Sequence, residues 1–359
     1  MTILYILSAV LMFGILVTVH EWGHFSAARW TGIPVSEFAI GFGPKLFSWK
    51  SKKHDTRFSL RLIPMGGFCA FVGEDDAAGT HQDDPGAFSK QRWWKRFITV
   101  LMGPMMNFVL AFVVLVVYFS LSGVPVVAGV DPYIASVEAE GPAAQTGLQA
   151  DDVVTEVNGV PVLDGTTETL LQAIGSYQAG NPPLTMTVKR GEQEMELSVQ
   201  PFLDESNGRY RIGVTVGGVY RTNQQRVNVL QAVGESWKRC INAGGLIINA
   251  LKNLVTTGEG FDQTAGPVGL VSTVTKEVSK GGFQAFLNLL VVISINLGIM
   301  NLLPIPGLDG SRLLFLLVEG VRRKPIPPQK EAVIHLCGYV VLFGLMLFFT
   351  YRDILRLFQ

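Results

Sequence analysis

The chain has 359 residues, enough for two or three domains, and 16% of them are charged, well under the roughly 25% of an ordinary soluble protein. Apolar residues make up 48% and gather in a few blocks, which points to several membrane spans beside a soluble part. Lys plus Arg and Asp plus Glu number 29 each, so no net charge attracts nucleic acid, and three scattered cysteines with no CxxC pair exclude a disulfide framework or a cysteine-built metal site.

In chain order, residues 3–19 carry no charge and helical sequence continues through Arg29, so residues 1–30 are expected to form a first transmembrane helix. A basic leader and a small-residue cleavage signature are both missing, so the segment reads as a span rather than a signal peptide. Residues 31–96 alternate differently. RFSLRLIP sets Phe58, Leu60 and Leu62 against Arg57, Ser59 and Arg61, as a half-buried strand does. EFAIGFGPKLFSWK and MGGFCAFVG are rich in aromatic residues and interrupted by glycine. An ordinary loop would expose that apolar surface to water, so a β-hairpin or sheet dipping into the inner leaflet is expected. Residues 97–122 form the second span, with Trp93 and Trp94, flanked by Arg92, Lys95 and Arg96, as its interfacial anchor.

Residues 123–216 carry a module. EGPAAQTGLQADDVVTEVNGVPV leads to a helical TETLLQAIGSYQAGN and to two alternating strands that turn at Arg190-Gly191-Glu192. This order resembles a bacterial PDZ domain, with Ala150-Asp151 where Gly-Asp is usual. The resemblance implies an α+β fold that captures an extended peptide or C-terminus at a sheet edge, with RIGVTV (211–216) the groove candidate. Residues 217–282 have apolar positions at helical spacing but also Glu235, Lys238, Arg239 and Lys252, which suits amphipathic helices on the outer membrane surface. The third span occupies 283–322 and is broken within NLLPIPGLDG; the fourth, with the C-terminus, occupies 323–359.

Lys and Arg crowd the segment between spans one and two and recur between spans three and four, at Arg322, Arg323, Lys324 and Lys330. The positive-inside rule then puts both connections in the cytosol and both termini outside, against the weaker contrary signal of Arg352 and Arg356. The expected architecture is a polytopic α-helical membrane protein of four transmembrane helices, with a membrane-associated β-hairpin region and an inserted extracytoplasmic PDZ domain.

The chemistry starts at His20-Glu21-Trp22-Gly23-His24. On a helix, residues four apart share a face, so both imidazoles can reach one ion while Glu21 contacts a water bound to it. Zinc in such a site lowers the pKa of that water to about 7, and the glutamate takes the proton and later hands it to the leaving amine. Three ionisable groups in one stretch of a membrane helix cost roughly 3 kcal/mol or more each unless paired or functional, which weighs against two merely satisfied histidines near the interface. A catalytic zinc needs a third protein ligand and an open position. Asp309, just after Pro304, Pro306 and Gly307, is the best candidate; the alternative is a helix-start cap after a turn. Spans one and three both enter from outside, so the histidines and Asp309 reach the same leaflet. The rise from Ile3 to His20 is about 26 Å, which puts the metal in the inner part of a core roughly 30 Å thick. His54 and His81 fall in polar loop sequence and His335 has no partner motif, so none is assigned to the site.

HEWGH at the end of a first span, GFGPKLF, PMGGF, a PDZ between spans two and three, and NLLPIPGLDG occur in the order found in the site-2 protease family. Nearly the whole chain resembles that family, and most narrowly the bacterial proteases typified by the regulator of sigma-E, in a form with one PDZ domain rather than two. The resemblance implies intramembrane proteolysis of single-span membrane proteins, such as anti-sigma factors or signal-peptide remnants, with one Zn2+ per chain. It matches His20, His24 and Asp309 to the zinc ligands and Glu21 to the general base. It matches Asn301 to a substrate-holding position and Met65, Gly66, Gly67 and Phe68 to a membrane-associated β-hairpin. The expected location is the bacterial inner membrane, multi-pass, with the active site near the cytosolic side. The competing expectations are a non-proteolytic PDZ membrane scaffold and a zinc carrier.

Overall fold

The computed structural model describes residues 2–52, 55–74, 84–139, 141–163, 167–204, 208–261 and 264–357. His54 and His81 lie outside the described residues. The chain divides into two compact units, one of residues 1–119 with 229–359 and one of residues 120–228.

Among the described residues of the first unit, four helices are long and apolar enough to cross a membrane: α1 (Thr2–Thr31), α2 (Trp93–Ser122), α6 (Pro267–Leu302) and α8 (Pro328–Leu357). The second begins at Trp93 rather than Phe97, because the two anchor tryptophans form its first turn. In the third, a non-helical Gly282 (φ 57°, ψ −142°) kinks α6 and separates residues 283–302 from the helical segment before it. Val274 and Val278 of that segment are buried against Ala9, Met12 and Leu16 of α1. Of the expected amphipathic helices, α5 (Val229–Thr256) remains separate; it buries Ala232 and Ser236 and sets Trp237 edge-on to Phe112 of α2.

Two long strands, β1 (Val35–Lys50) and β2 (Arg57–Phe71), make a bulged sheet rather than a plain hairpin. Residues 37–40 are flanked on one side by 67–70 and on the other by 57–60, while 45–50 folds back on 57–61. The segment 67–71 therefore has β1 on one side only. Glu37 ties the segments together, accepting hydrogen bonds from Ser59 Oγ (2.6 Å), Arg61 (2.8 Å) and Lys45 (3.1 Å). Gly66 makes the bend before the last segment at φ +105°, where a Cβ would overlap the Phe42 ring at 2.0 Å.

The break in the third span is real. Helix α6 stops at Leu302, because Pro304 and Pro306 have no amide hydrogen to continue the ladder, and α7 (Asp309–Arg322) starts after Gly307 at φ +98°. Leu313 and Leu316 of α7 join a core with Ala28, Ile33, Val35, Phe71 and Val100.

In the second unit, a sheet ordered β10-β3-β4-β6-β7 is built from Val214–Gln225, Val124–Val137, Val153–Val157, Leu184–Arg190 and Gln193–Val199. The short β5 (Val160–Pro161) pairs with β4 across the Asn158-Gly159 turn, and both turn residues have positive φ. Helices α3 (Pro142–Gln145) and α4 (Thr167–Gly175) and a small β8–β9 hairpin (Phe202–Asp204 and Arg209–Arg211) complete it. Ile134, Leu148, Val154, Leu170, Met186 and Val188 form its core. The module outruns residue 216, since β10 continues to Gln225 and pairs back to Val124 at the start of β3.

Candidate metal centre

The helix α1 presents His20 and His24 one turn apart, both buried. Their approach to the rest of the site depends on α2. Gly23 lets the helices cross closely, since a Cβ there would stand 2.1 Å from the Met102 carbonyl oxygen. One turn apart on α2, Thr99, Gly103 and Asn107 face the histidines. The Thr99 carbonyl lies 2.9 Å from His24 Nδ1, Gly103 leaves room for the His24 ring, and the Asn107 amide lies 3.2 Å from His20 Nδ1.

Asp309 is brought in from the other side by the chain break. Gly310 is needed behind it, because a Cβ there would lie 2.2 Å from the Leu303 carbonyl oxygen. Two ion pairs hold α7: Arg96 of α2 with Glu319, and Arg312 with Glu74, which follows β2. His335 of α8 accepts the Gly307 N–H on Nδ1 at 3.2 Å, and Gly338 lies against the Pro306 carbonyl. The sequence offered His335 no partner motif; its Nδ1 takes a backbone amide, which carries no sequence signature, while its Nε2 lies 3.7 Å from Glu331 one turn earlier.

The three candidate ligand atoms converge. Asp309 Oδ2 lies 3.1 Å from His20 Nε2 and 3.5 Å from His24 Nε2, and the two Nε2 atoms lie 3.3 Å apart. Bonds of about 2.0–2.1 Å to a tetrahedral zinc would separate neighbouring ligands by about 3.3 Å. Asp309 Oδ2 is buried and makes no hydrogen bond of good geometry, and no side-chain bond caps the start of α7. Two imidazole nitrogens and an orphaned carboxylate oxygen that point at one another rather than at donors are the arrangement a cation would satisfy. The donor set of two nitrogens and one oxygen fits zinc with a position left open.

Glu21 stands beside this cluster. Its side chain packs against Gly67, whose Cβ, if present, would be 3.5 Å from Glu21 Cγ, and the Cys69 backbone amide faces its carboxylate. Of the sequence-nominated hairpin residues, Gly67 thus reaches the site. Gly66 serves the bend, Phe68 pairs with Ala39 and lies under the Arg61 guanidinium at 4.8 Å, and the Met65 side chain lies outside the described residues. Asn301 sits in the last turn of α6, partly exposed, and its amide makes no hydrogen bond among the described residues. Thr99, Gly103 and Asn107 were missed by the sequence reading. The available signal was a glycine and a lone asparagine four residues apart inside an otherwise apolar span.

A profile of peptidase family M50 matches residues 8–345. The zinc metalloprotease RasP of Oceanobacillus iheyensis is 32% identical over 434 aligned residues, covering 98% of this chain and 99% of that one. The regulator of sigma-W protease RasP of Bacillus subtilis is 31% identical over 432, with the same coverage of 98% and 99%. Among solved structures, the PDZ domain of an SdrC-like protein from Listeria monocytogenes is 27% identical, covering 25% of this chain and 87% of that domain at a TM-score of 0.21.

Proposed function

The chain belongs to peptidase family M50, the site-2 protease family, and is an intramembrane zinc metalloprotease; from that premise we propose how its own residues cut a peptide bond and which bonds they cut. His20, His24 and Asp309 hold one zinc per chain, a reading supported by the convergence of their ligand atoms within 3.1–3.5 Å of one another. Zinc there would supply Lewis acidity at neutral pH. Glu21, adjacent to the ligands and not itself one, takes the proton from the attacking water and returns it to the leaving amine.

The substrates are single-span membrane proteins, such as anti-sigma factors or signal-peptide remnants, cut within the membrane. A helical substrate hides its peptide bonds in its own hydrogen-bond ladder, and unwinding it in lipid orphans amides and carbonyls. The one-sided segment 67–71 next to Glu21 can accept those groups by strand addition, with Asn301 as a further contact. The unit of residues 120–228 acts as a PDZ domain. Its edge strand β10 is paired on one side only, with α4 close by. By the positive-inside reading, this unit and both termini lie outside the inner membrane of a bacterium, and the zinc lies toward the cytosol.

A non-proteolytic scaffold or a zinc carrier has no use for Glu21. Wild type and Glu21→Gln, each with its zinc measured, should be compared on a tagged single-span substrate. Expected is full zinc in both and a fall in cleavage of about 10²–10⁴-fold in the variant. Equal cleavage would remove Glu21 from the mechanism, and zinc-free wild type would remove the metal assignment.

A further inference from the structure

An imidazole nitrogen that ligates a metal must offer its lone pair, so the neutral ring carries its hydrogen on the other nitrogen. Buried, that N–H needs an acceptor, which thereby selects the tautomer and fixes the ring. For His24 the acceptor is the Thr99 carbonyl, 2.9 Å from Nδ1. A carbonyl cannot donate, so Nδ1 holds the hydrogen and Nε2 is free to face Asp309.

His20 has no carbonyl at this place. Its Nε2 is turned to Asp309 and His24, and its Nδ1 lies 3.2 Å from the side-chain amide of Asn107. Asn107 is fully buried in the apolar span α2, a costly position for a lone amide without a task. As placed, its Nδ2 points at His20 and its Oδ1 has no partner. A donor at Nδ1 would force the hydrogen onto Nε2, the atom that faces the other two candidate ligands. Oxygen and nitrogen of such an amide differ only by a half-turn about the last bond, and the hydrogen-bond partners decide between them.

We propose that Asn107 is a positioning residue of the metal centre: its Oδ1 accepts Nδ1–H of His20 and locks the tautomer whose Nε2 faces the metal. The proposal rests on the reading of His20 and His24 as ligands. The backbone around Asn107 is fixed for the task, since Ser294 Oγ of α6 donates to the Asn107 carbonyl at 2.7 Å, a buried contact between helices. Its position continues a row on α2 in which Thr99 orients His24 and Gly103 clears space for the His24 ring. One face of α2 therefore sets the orientation of both imidazoles.

The test is the affinity of the full chain in detergent for Zn2+, measured by competition with a chromophoric chelator. Asn107→Asp keeps an acceptor and removes the donor; Asn107→Leu removes both, and Asn107→Ala serves in its place if the leucine variant does not fold. Expected is wild-type or tighter binding for Asn107→Asp and a loss of about 10–100-fold for the leucine or alanine variant. Wild-type affinity in the variant lacking an acceptor overturns the proposal. An aspartate variant as weak as that one also overturns it, because the donor would then be what matters. His20→Ala run alongside separates the two levels. If it binds zinc normally, the ligand reading itself fails; if it loses zinc while Asn107→Leu does not, only the role of Asn107 fails.

Discussion

A methyl group at Gly103 would stand 2.2 Å from His24 Nε2, so Gly103→Ala must move the ring that the Thr99 carbonyl orients. The expected result is a folded protein with zinc affinity and cleavage both lowered about 10–100-fold, read by metal analysis and substrate cleavage on one preparation. His335 acts from further out, through the Gly307 amide and the loop that delivers Asp309. His335→Ala leaves that amide without its acceptor, a cost of about 1–3 kcal/mol, and should speed zinc loss to chelator; His335→Asn, which can still accept, should restore part of it. In the second unit, burial pushes the Asp152 carboxyl up, but hydrogen bonds from Arg190 and from the Gln149 amide outweigh it and hold the group below the usual carboxylate range. A depressed folded-state pKa stabilises fully above the unfolded value near 4 and is lost as pH falls through the folded one. The protection of the β4 and β6 amides, relative to the intrinsic exchange rate at each pH, should therefore fall as pH drops below about 4. In Asp152→Asn that pH dependence should flatten; an unchanged profile would place the acid sensitivity elsewhere.

Among the elements, the last segment of β2 carries the sharpest prediction. Its amides at Cys69 and Phe71 turn away from β1, one facing Glu21 and the other donating to Glu74 Oε2 at 3.2 Å, as the two-residue period of a strand requires. The Val72 amide is engaged inside the fold, donating to the Pro34 carbonyl at 3.1 Å. Phe71→Pro removes an amide from the free edge together with a core ring that stacks on Phe88, so Phe71→Ala, which loses the ring and keeps the amide, is its control, whereas a proline at Val72 breaks the sheet's own closure. Cleavage should fall at least about tenfold in Phe71→Pro while zinc content stays at wild-type level. Undiminished cleavage would count against strand addition at this edge. The edge is also tied to the helix that carries Asp309, since Glu74 pairs with Arg312, one turn beyond Asp309 in α7.

At the scale of the whole molecule, residues 120–228 are a compact unit whose two ends run together as a ribbon, with Val127 opposite Thr222. The ribbon decides where a deletion can be made. Removing 127–216 would strip Gly217–Arg221 of their partners Tyr133–Gly129 and leave an unpaired strand. Removing 128–221 and joining Val127 to Thr222 through Asn-Gly closes the ribbon with a turn its twist favours. If the unit excludes bulky outside domains, the shortened protein should cut single-span substrates that have not been trimmed, whereas wild type cuts only trimmed ones. Continued refusal would mean that the unit does not act as a size filter.

The sequence by itself determined the four apolar helices, the family, and the residues of HEWGH and LDG, because hydropathy over a span and chemistry at fixed helical spacing are local properties. It also marked the strand pattern of residues 57–64. What it left open were the facts that depend on which atoms meet across the fold. Whether Asp309 capped its helix or faced the histidines was decided by where the broken helix docked. The row of Thr99, Gly103 and Asn107 looked like part of a plain span because two of its three contributions are a backbone carbonyl and the absence of a side chain. The tie of His335 to the Asp309 loop was hidden because it runs through a peptide N–H. The start of α2 precedes its apolar run because the two anchor tryptophans take its first turn, which hydropathy alone does not mark. A metal centre is assembled from distant segments by tertiary contacts, and only the ligands themselves leave a pattern along the chain.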